Sequence, residues 1–186
     1  MVALNWDRFK RAQYHYVTQK RQPCDDSAEG RPLYPNQCAL RLSRALKDAG
    51  WPFDGPQQPY TATRFGPRCS HGYARGARSL ADYLETYLTK PTIYRVPPHP
   101  KTGEVTEVSA GHYLEAPDGT AKFFKALDWM LHRSATQSLR GIIFFDQPEH
   151  IDGFDMVNKI NVKDTQYGII GEQYGDSSKQ IRVFYL

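Results

Sequence analysis

From Gly141 to the C-terminus the chain reads as one strand after another, and this restricts its fold more than any other feature. Gly141-Ile142-Ile143-Phe144-Phe145 is continuously apolar, the pattern of a strand covered on both faces. Further strands are predicted at residues 150–154, 159–163, 167–174 and 180–186, separated by turn-rich stretches such as Gln147-Pro148, 155–158 and Gly175-Asp176-Ser177. The earlier part of the chain has helical periodicity instead. Trp6, Phe9 and Tyr16 share a helix face behind an Asn5 cap, and Asn36 caps a helix that Gly50 stops. Ser79 is expected to cap another helix, with Asp82 in its first turn, Leu80, Tyr83, Leu84, Tyr87 and Leu88 on one face, and Pro91 ending it. A further amphipathic helix is predicted from about Ala121 to His132, and a short strand at residues 92–96. Residues 20–35 and 51–76, rich in Pro and Gly, read as irregular. Helices first and consecutive antiparallel strands last give an α+β class, with N-terminal helices packed on a C-terminal antiparallel sheet.

At 186 residues the chain suits one domain, 1–186, long enough to bury a core. A net charge of +4 mildly favours an anionic partner. No run of Lys and Arg interleaves with aromatics densely enough to indicate nucleic acid. The segment Met1-Val2-Ala3-Leu4-Asn5-Trp6-Asp7-Arg8 has neither the basic nor the apolar region of a signal peptide. No apolar stretch approaches the ~18–20 residues that span a bilayer. A protein not inserted in a membrane is expected, with any export independent of a cleaved signal.

The chemistry centres on one cysteine and one histidine. Cys38 opens the helix behind Asn36, where the positive end of the helix dipole favours a thiolate and first-turn N–H groups can receive an oxyanion. The bland alternative is a small buried hydrophobe. His150 begins a strand directly after an apolar one, which would hold its ring rigidly as a base. A surface or capping histidine is the competing reading, and His15, His71, His99, His112 and His132 are placed on helix surfaces or in loops. A Cys–His pair is usually completed by a group that fixes the imidazole tautomer. Asp152 lies two residues along the same strand face, while a hairpin through 155–158 would return Asn161 or Asp164 toward His150. Asn161 is the geometric favourite and Asp152 the second choice. With no CxxC, no His-x-x-x-His and no calcium-loop spacing, neither a metal nor a cofactor is expected. The remaining thiols, Cys24 and Cys69, either pair as a disulfide or stay reduced.

These motifs resemble the fourth family of type VI secretion amidase effectors. That family's Asn-x-Cys-Ala-x-Arg-Leu/Met-Ser-x-Ala-Leu helix is matched by Asn36, Cys38, Ala39, Arg41, Leu42, Ser43, Ala45 and Leu46. Its Gly-Ile-Ile-Phe-Phe strand and following His-Ile-Asp are matched by Gly141–Phe145 and His150-Ile151-Asp152, with Gly153-Phe154 in place of Leu-Trp. The aromatic final strand, Val183-Phe184-Tyr185-Leu186, is similar too. The resemblance implies a papain-like/NlpC-type cysteine peptidase acting as an antibacterial toxin. It implies hydrolysis of peptidoglycan stem peptides at the D-Glu–meso-diaminopimelate bond, in the periplasm of a target bacterium reached through the type VI secretion machinery. It also implies a cognate immunity protein, Cys38 as nucleophile and His150 as its base. A cysteine hydrolase of another amide substrate, or a non-catalytic cell-wall-binding module on a degenerate hydrolase fold, are the rival expectations.

Overall fold

A computed structural model describes residues 4–18, 23–28, 31–34, 36–95, 114–115, 122–123, 140–146, 149–155 and 180–186. The chain begins with helix α1 (Trp6–Thr18), then a small hairpin of β1 (Ser27–Ala28) and β2 (Arg31–Pro32). Helices α2 (Cys38–Asp48), α3 (Ala62–Phe65) and α4 (Ala77–Tyr87) follow, and then the strands β3 (Thr92–Arg95), β4 (Leu114–Glu115), β5 (Lys122–Phe123), β6 (Arg140–Asp146), β7 (Glu149–Asp155) and β8 (Gln180–Tyr185). These six strands form one antiparallel sheet in the order β5-β4-β3-β8-β6-β7. The domain is therefore a small α+β fold with N-terminal helices against a C-terminal antiparallel sheet.

The expected caps are partly observed. Asn5 accepts the Arg8 N–H at 3.1 Å, the bond that starts α1. Gly50 takes φ 87° after α2, a left-handed value that favours glycine. Helix α4 starts at Ala77, two residues before the Ser79 expected to cap it. Extended Gly76 is its N-cap, its carbonyl accepting the Leu80 N–H at 3.0 Å, and the earlier start buries Ala77. Asp82 consequently lies within the helix rather than in its first turn, where it pairs with Arg182 of β8.

Where a helix was predicted from Ala121 to His132, Lys122 and Phe123 are instead extended, paired with Glu115 and Leu114. Aromatic residues suit a pleated surface, and a strand partner supplies the ladder bonds that outweigh helical spacing. The rest of that predicted helix, and the strands predicted at 159–163 and 167–174, lie outside the described residues.

The main core lies between the helices and one sheet face. Leu42, Ala45 and Leu46 of α2 and Leu80, Ala81, Tyr83 and Leu84 of α4 meet Ile142, Phe144, Ile151 and Phe184. Burying each leucine contributes roughly 1.5–3 kcal/mol, so these two apolar faces supply most of the helices' reason to dock. The predicted face of α4 is thus the buried one. Tyr83 adds a polar tie, accepting from Trp51 Nε1 at 3.0 Å and donating to the Gln58 carbonyl at 2.9 Å. Strands β6 and β8 approach closely at Gly141, where a Cβ would stand 2.0 Å from the Phe184 carbonyl oxygen.

Candidate functional site

The register of β6 and β7 places the strand residues of interest. His150 lies opposite Phe145, and Asp152 opposite Ile143. Alternation puts both on the sheet face opposite the one whose Ile142, Phe144 and Ile151 join the main core. Strand β7 is the edge of the described sheet, and both α2 and α4 pack against it. The start of α2 therefore comes within reach of side chains on β7, and Cys38, half-buried in the first turn of that helix, stands close enough to His150 to raise its pKa.

Asp152 is buried and meets His150 on its other side, with Oδ2 3.6 Å from Nε2. The remaining carboxylate oxygen, Oδ1, accepts from Gln13 Nε2 at 2.6 Å and from the Gly153 N–H at 2.9 Å. Two donors on Oδ1 fix the carboxylate plane and leave Oδ2 directed at the imidazole. Burial of His150 opposes its positive charge, yet Asp152 and Cys38 more than offset this and raise its pKa from 6.5 to about 9. The ring accordingly favours the imidazolium form at neutral pH, with the Cys38 thiol nearby and the Asp152 carboxylate 3.6 Å from Nε2.

The mouth of the site is braced by Asn36. Its Oδ1 accepts the Cys38 N–H at 3.2 Å, and its Nδ2 donates to the Glu149 carbonyl at 3.4 Å, joining the start of α2 to the residue before His150. Asn36 thus binds the end of the helix as a cap would, although Gln37 is the N-cap residue by position. Glu149 is also held by Arg78 of α4, Oε1 to Nε 2.8 Å.

Of the residues predicted from sequence, Cys38, His150 and Asp152 are brought together, while Asn161 and Asp164 lie outside the described residues. Gln13 was missed. It follows Trp6 and Phe9 on the buried face of α1 at i, i+3 and i+7, and a polar residue in that pattern was the available signal.

A second constellation was missed as well. Cys24, Cys69 and His71 gather so that their ligand atoms lie within 4.8 Å of one another, and Asp25 and Asp26 group with His71 in the same way. Both cysteines are buried free thiols that pack with Leu40 of α2 and with Tyr73. Burial pushes the Cys24 thiol up to about 12, against the Asp26 backbone N–H, which favours the thiolate. Ser70 donates to Asp26 from its N–H at 3.0 Å and also from its hydroxyl, clasping the loop of Cys24 to the loop of Cys69. Sequence reading placed His71 as a solvated loop residue. Its side chain is 44% exposed, but it stacks on Tyr73 and lies 3.5 Å from Asp25 and 3.8 Å from Asp26.

No family model matches the chain, and neither a curated protein nor a solved structure matches it significantly. The site therefore has to be interpreted from its own chemistry. The cluster of buried Cys24 and Cys69 with the exposed His71, beside Asp25 and Asp26, is a candidate catalytic or metal-binding site of the kind cysteine-dependent enzymes carry. No helix among the described residues is long and apolar enough to cross a membrane.

Proposed function

We propose that the protein is a cysteine amidase of the papain-like/NlpC type that cleaves peptidoglycan stem peptides. The observation that carries this reading is the buried His150, set between the Cys38 thiol that raises its pKa and Asp152, 3.6 Å from its Nε2. With Nε2 toward Asp152, Nδ1 is the nitrogen left to exchange a proton with sulfur. The Cys38 thiolate attacks the amide carbonyl while N–H groups in the first turn of α2 receive the developing oxyanion. The imidazolium then protonates the departing amine, and water, deprotonated by the neutral ring, releases the acyl group from sulfur. Asp152 keeps the ring oriented and stabilises it whenever it carries the proton, a role that the sequence left open between Asn161, Asp152 and Asp164.

The substrate rests on the resemblance of the Cys38 helix and the His150 strand to type VI secretion amidase effectors. A net charge of +4 suits an anionic wall polymer. On this reading the bond cut joins D-Glu to meso-diaminopimelate, the enzyme acts as an antibacterial toxin in a rival's periplasm, and a cognate immunity protein protects the producer. Incubation of wild type and Cys38→Ala with purified muropeptides, followed by mass spectrometry, tests it. Cleavage at that bond by wild type alone is expected. Turnover retained in Cys38→Ala would refute the nucleophile, and a well-folded wild type that leaves muropeptides intact would refute the substrate.

A further inference from the structure

We propose that Cys24, Cys69 and His71 form a binding site for a thiophilic divalent cation such as Zn²⁺, separate from the Cys38 site. Two thiols and an imidazole are the donor set that such an ion selects. Their ligand atoms lie within 4.8 Å of one another, whereas tetrahedral coordination at Zn–S and Zn–N bond lengths needs edges of roughly 3.5–3.8 Å. Binding therefore needs at most a small inward movement of the ligand atoms, and the His71 side chain, 44% exposed, is the least enclosed of the three. Two thiolates neutralise the ion's charge, so a neutral complex rather than a net charge is buried.

The surroundings supply what such a site needs beyond its ligands. A metal-bound histidine is normally oriented by a carboxylate on its other nitrogen. Here His71 Nε2 lies 3.5 Å from Asp25, and Nδ1 lies 3.8 Å from Asp26 and 3.1 Å from Ser70 Oγ, so a carboxylate stands near each ring nitrogen. Asp26 is itself fixed by the Ser70 N–H and hydroxyl. A disulfide between Cys24 and Cys69 would use the two sulfurs and give His71 no part. Three protein ligands leave a fourth position for water. Because Cys24 and Cys69 pack against Leu40, the bound ion would brace the first turns of α2, the helix that begins with Cys38.

The test uses the full chain, reduced with a phosphine, stripped with a chelator and titrated with Co²⁺ as the spectroscopic stand-in for Zn²⁺. One equivalent is expected to bind, giving thiolate-to-cobalt charge-transfer absorption and the strong visible bands of a tetrahedral site, both abolished by added Zn²⁺. Cys38→Ala should keep the spectrum and Cys69→Ser should lose charge-transfer intensity. His71→Ala, at a half-exposed position that leaves folding intact by circular dichroism, should weaken Co²⁺ binding at least tenfold. Asp25→Asn, at an exposed position 3.5 Å from His71 Nε2, disturbs only an outer partner and should cost about 10–100-fold. A spectrum without thiolate-to-cobalt absorption, or one that disappears with Cys38→Ala, would overturn the proposal. So would a cobalt-silent protein in which oxidised glutathione joins Cys24 to Cys69, since the pair would then be a disulfide staple.

Discussion

Replacing Asp152 with Asn changes one atom of the buried site and has consequences that can be worked through from its hydrogen bonds. Oδ1 accepts from Gln13 and from the Gly153 N–H, so the amide oxygen of the variant occupies that place and its NH₂ replaces Oδ2. The group facing His150 Nε2 becomes a donor. Nε2 must then accept, which puts the ring proton on Nδ1 and leaves the thiol without a base. By the same tautomer argument in Ser-His-Asp enzymes, turnover should fall on the order of 10⁴-fold. The effect on stability has a sign fixed by the raised pKa. A histidine raised from 6.5 to about 9 contributes in full below 6.5, and the contribution disappears as pH rises through about 9. That shift corresponds to about 3 kcal/mol, of which Asp152 supplies a larger share than Cys38. Asp152→Asn removes that share while burial continues to disfavour the charge, so the variant's His150 should titrate well below the wild-type value. Urea unfolding of both proteins at pH values from about 5 to 10, beside the pH dependence of Cys38 alkylation by iodoacetamide, measures each effect. The difference in unfolding free energy should be greatest at the acid end and close as pH passes about 9. Parallel stability profiles, or an unchanged alkylation profile, would refute the role given to Asp152.

Other outcomes follow from particular contacts. Tyr83→Phe strands the Trp51 N–H and the Gln58 carbonyl inside the protein, and should cost about 2–4 kcal/mol in urea unfolding. Gly141→Ala forces a methyl group to within 2.0 Å of the Phe184 carbonyl, so β6 and β8 must separate locally. A loss of about 3 kcal/mol or more is expected, read as a lowered melting temperature. Cys38→Ala, at a half-buried position, should abolish turnover and leave that temperature nearly unchanged.

The parts legible in the sequence were those where one signal dominates. The apolar run at Gly141–Phe145 and the strand after it emerged with one extra residue at each end, because continuous β-branched and aromatic residues between turns allow few alternatives. The Cys38 helix was equally plain from its polar loop, its apolar face and Gly50. The start of α4 was not, since Ser79 is a good cap in isolation and burial of Ala77 outweighs it. Within the site, alternation placed Asp152 beside His150, whereas Asn161 and Asp164 lie outside the described residues. Gln13 and the pairing of Cys24 with Cys69 and His71 join loops and helices far apart in the chain, and no local pattern encodes such meetings.

His150 and Asp152 ride two residues apart on the same strand, so their spacing is set by the backbone repeat of β7 itself. The assembled site therefore has one separation left to maintain, that between the edge of the sheet and the first turn of α2. Loosening α2 would disconnect the thiol as a single unit and leave the imidazole and carboxylate paired. A partly melted molecule would keep a histidine of elevated pKa after losing its reactive sulfur. Thermal inactivation should therefore precede the collapse of the His150 titration, so that the two together report where in the fold failure begins.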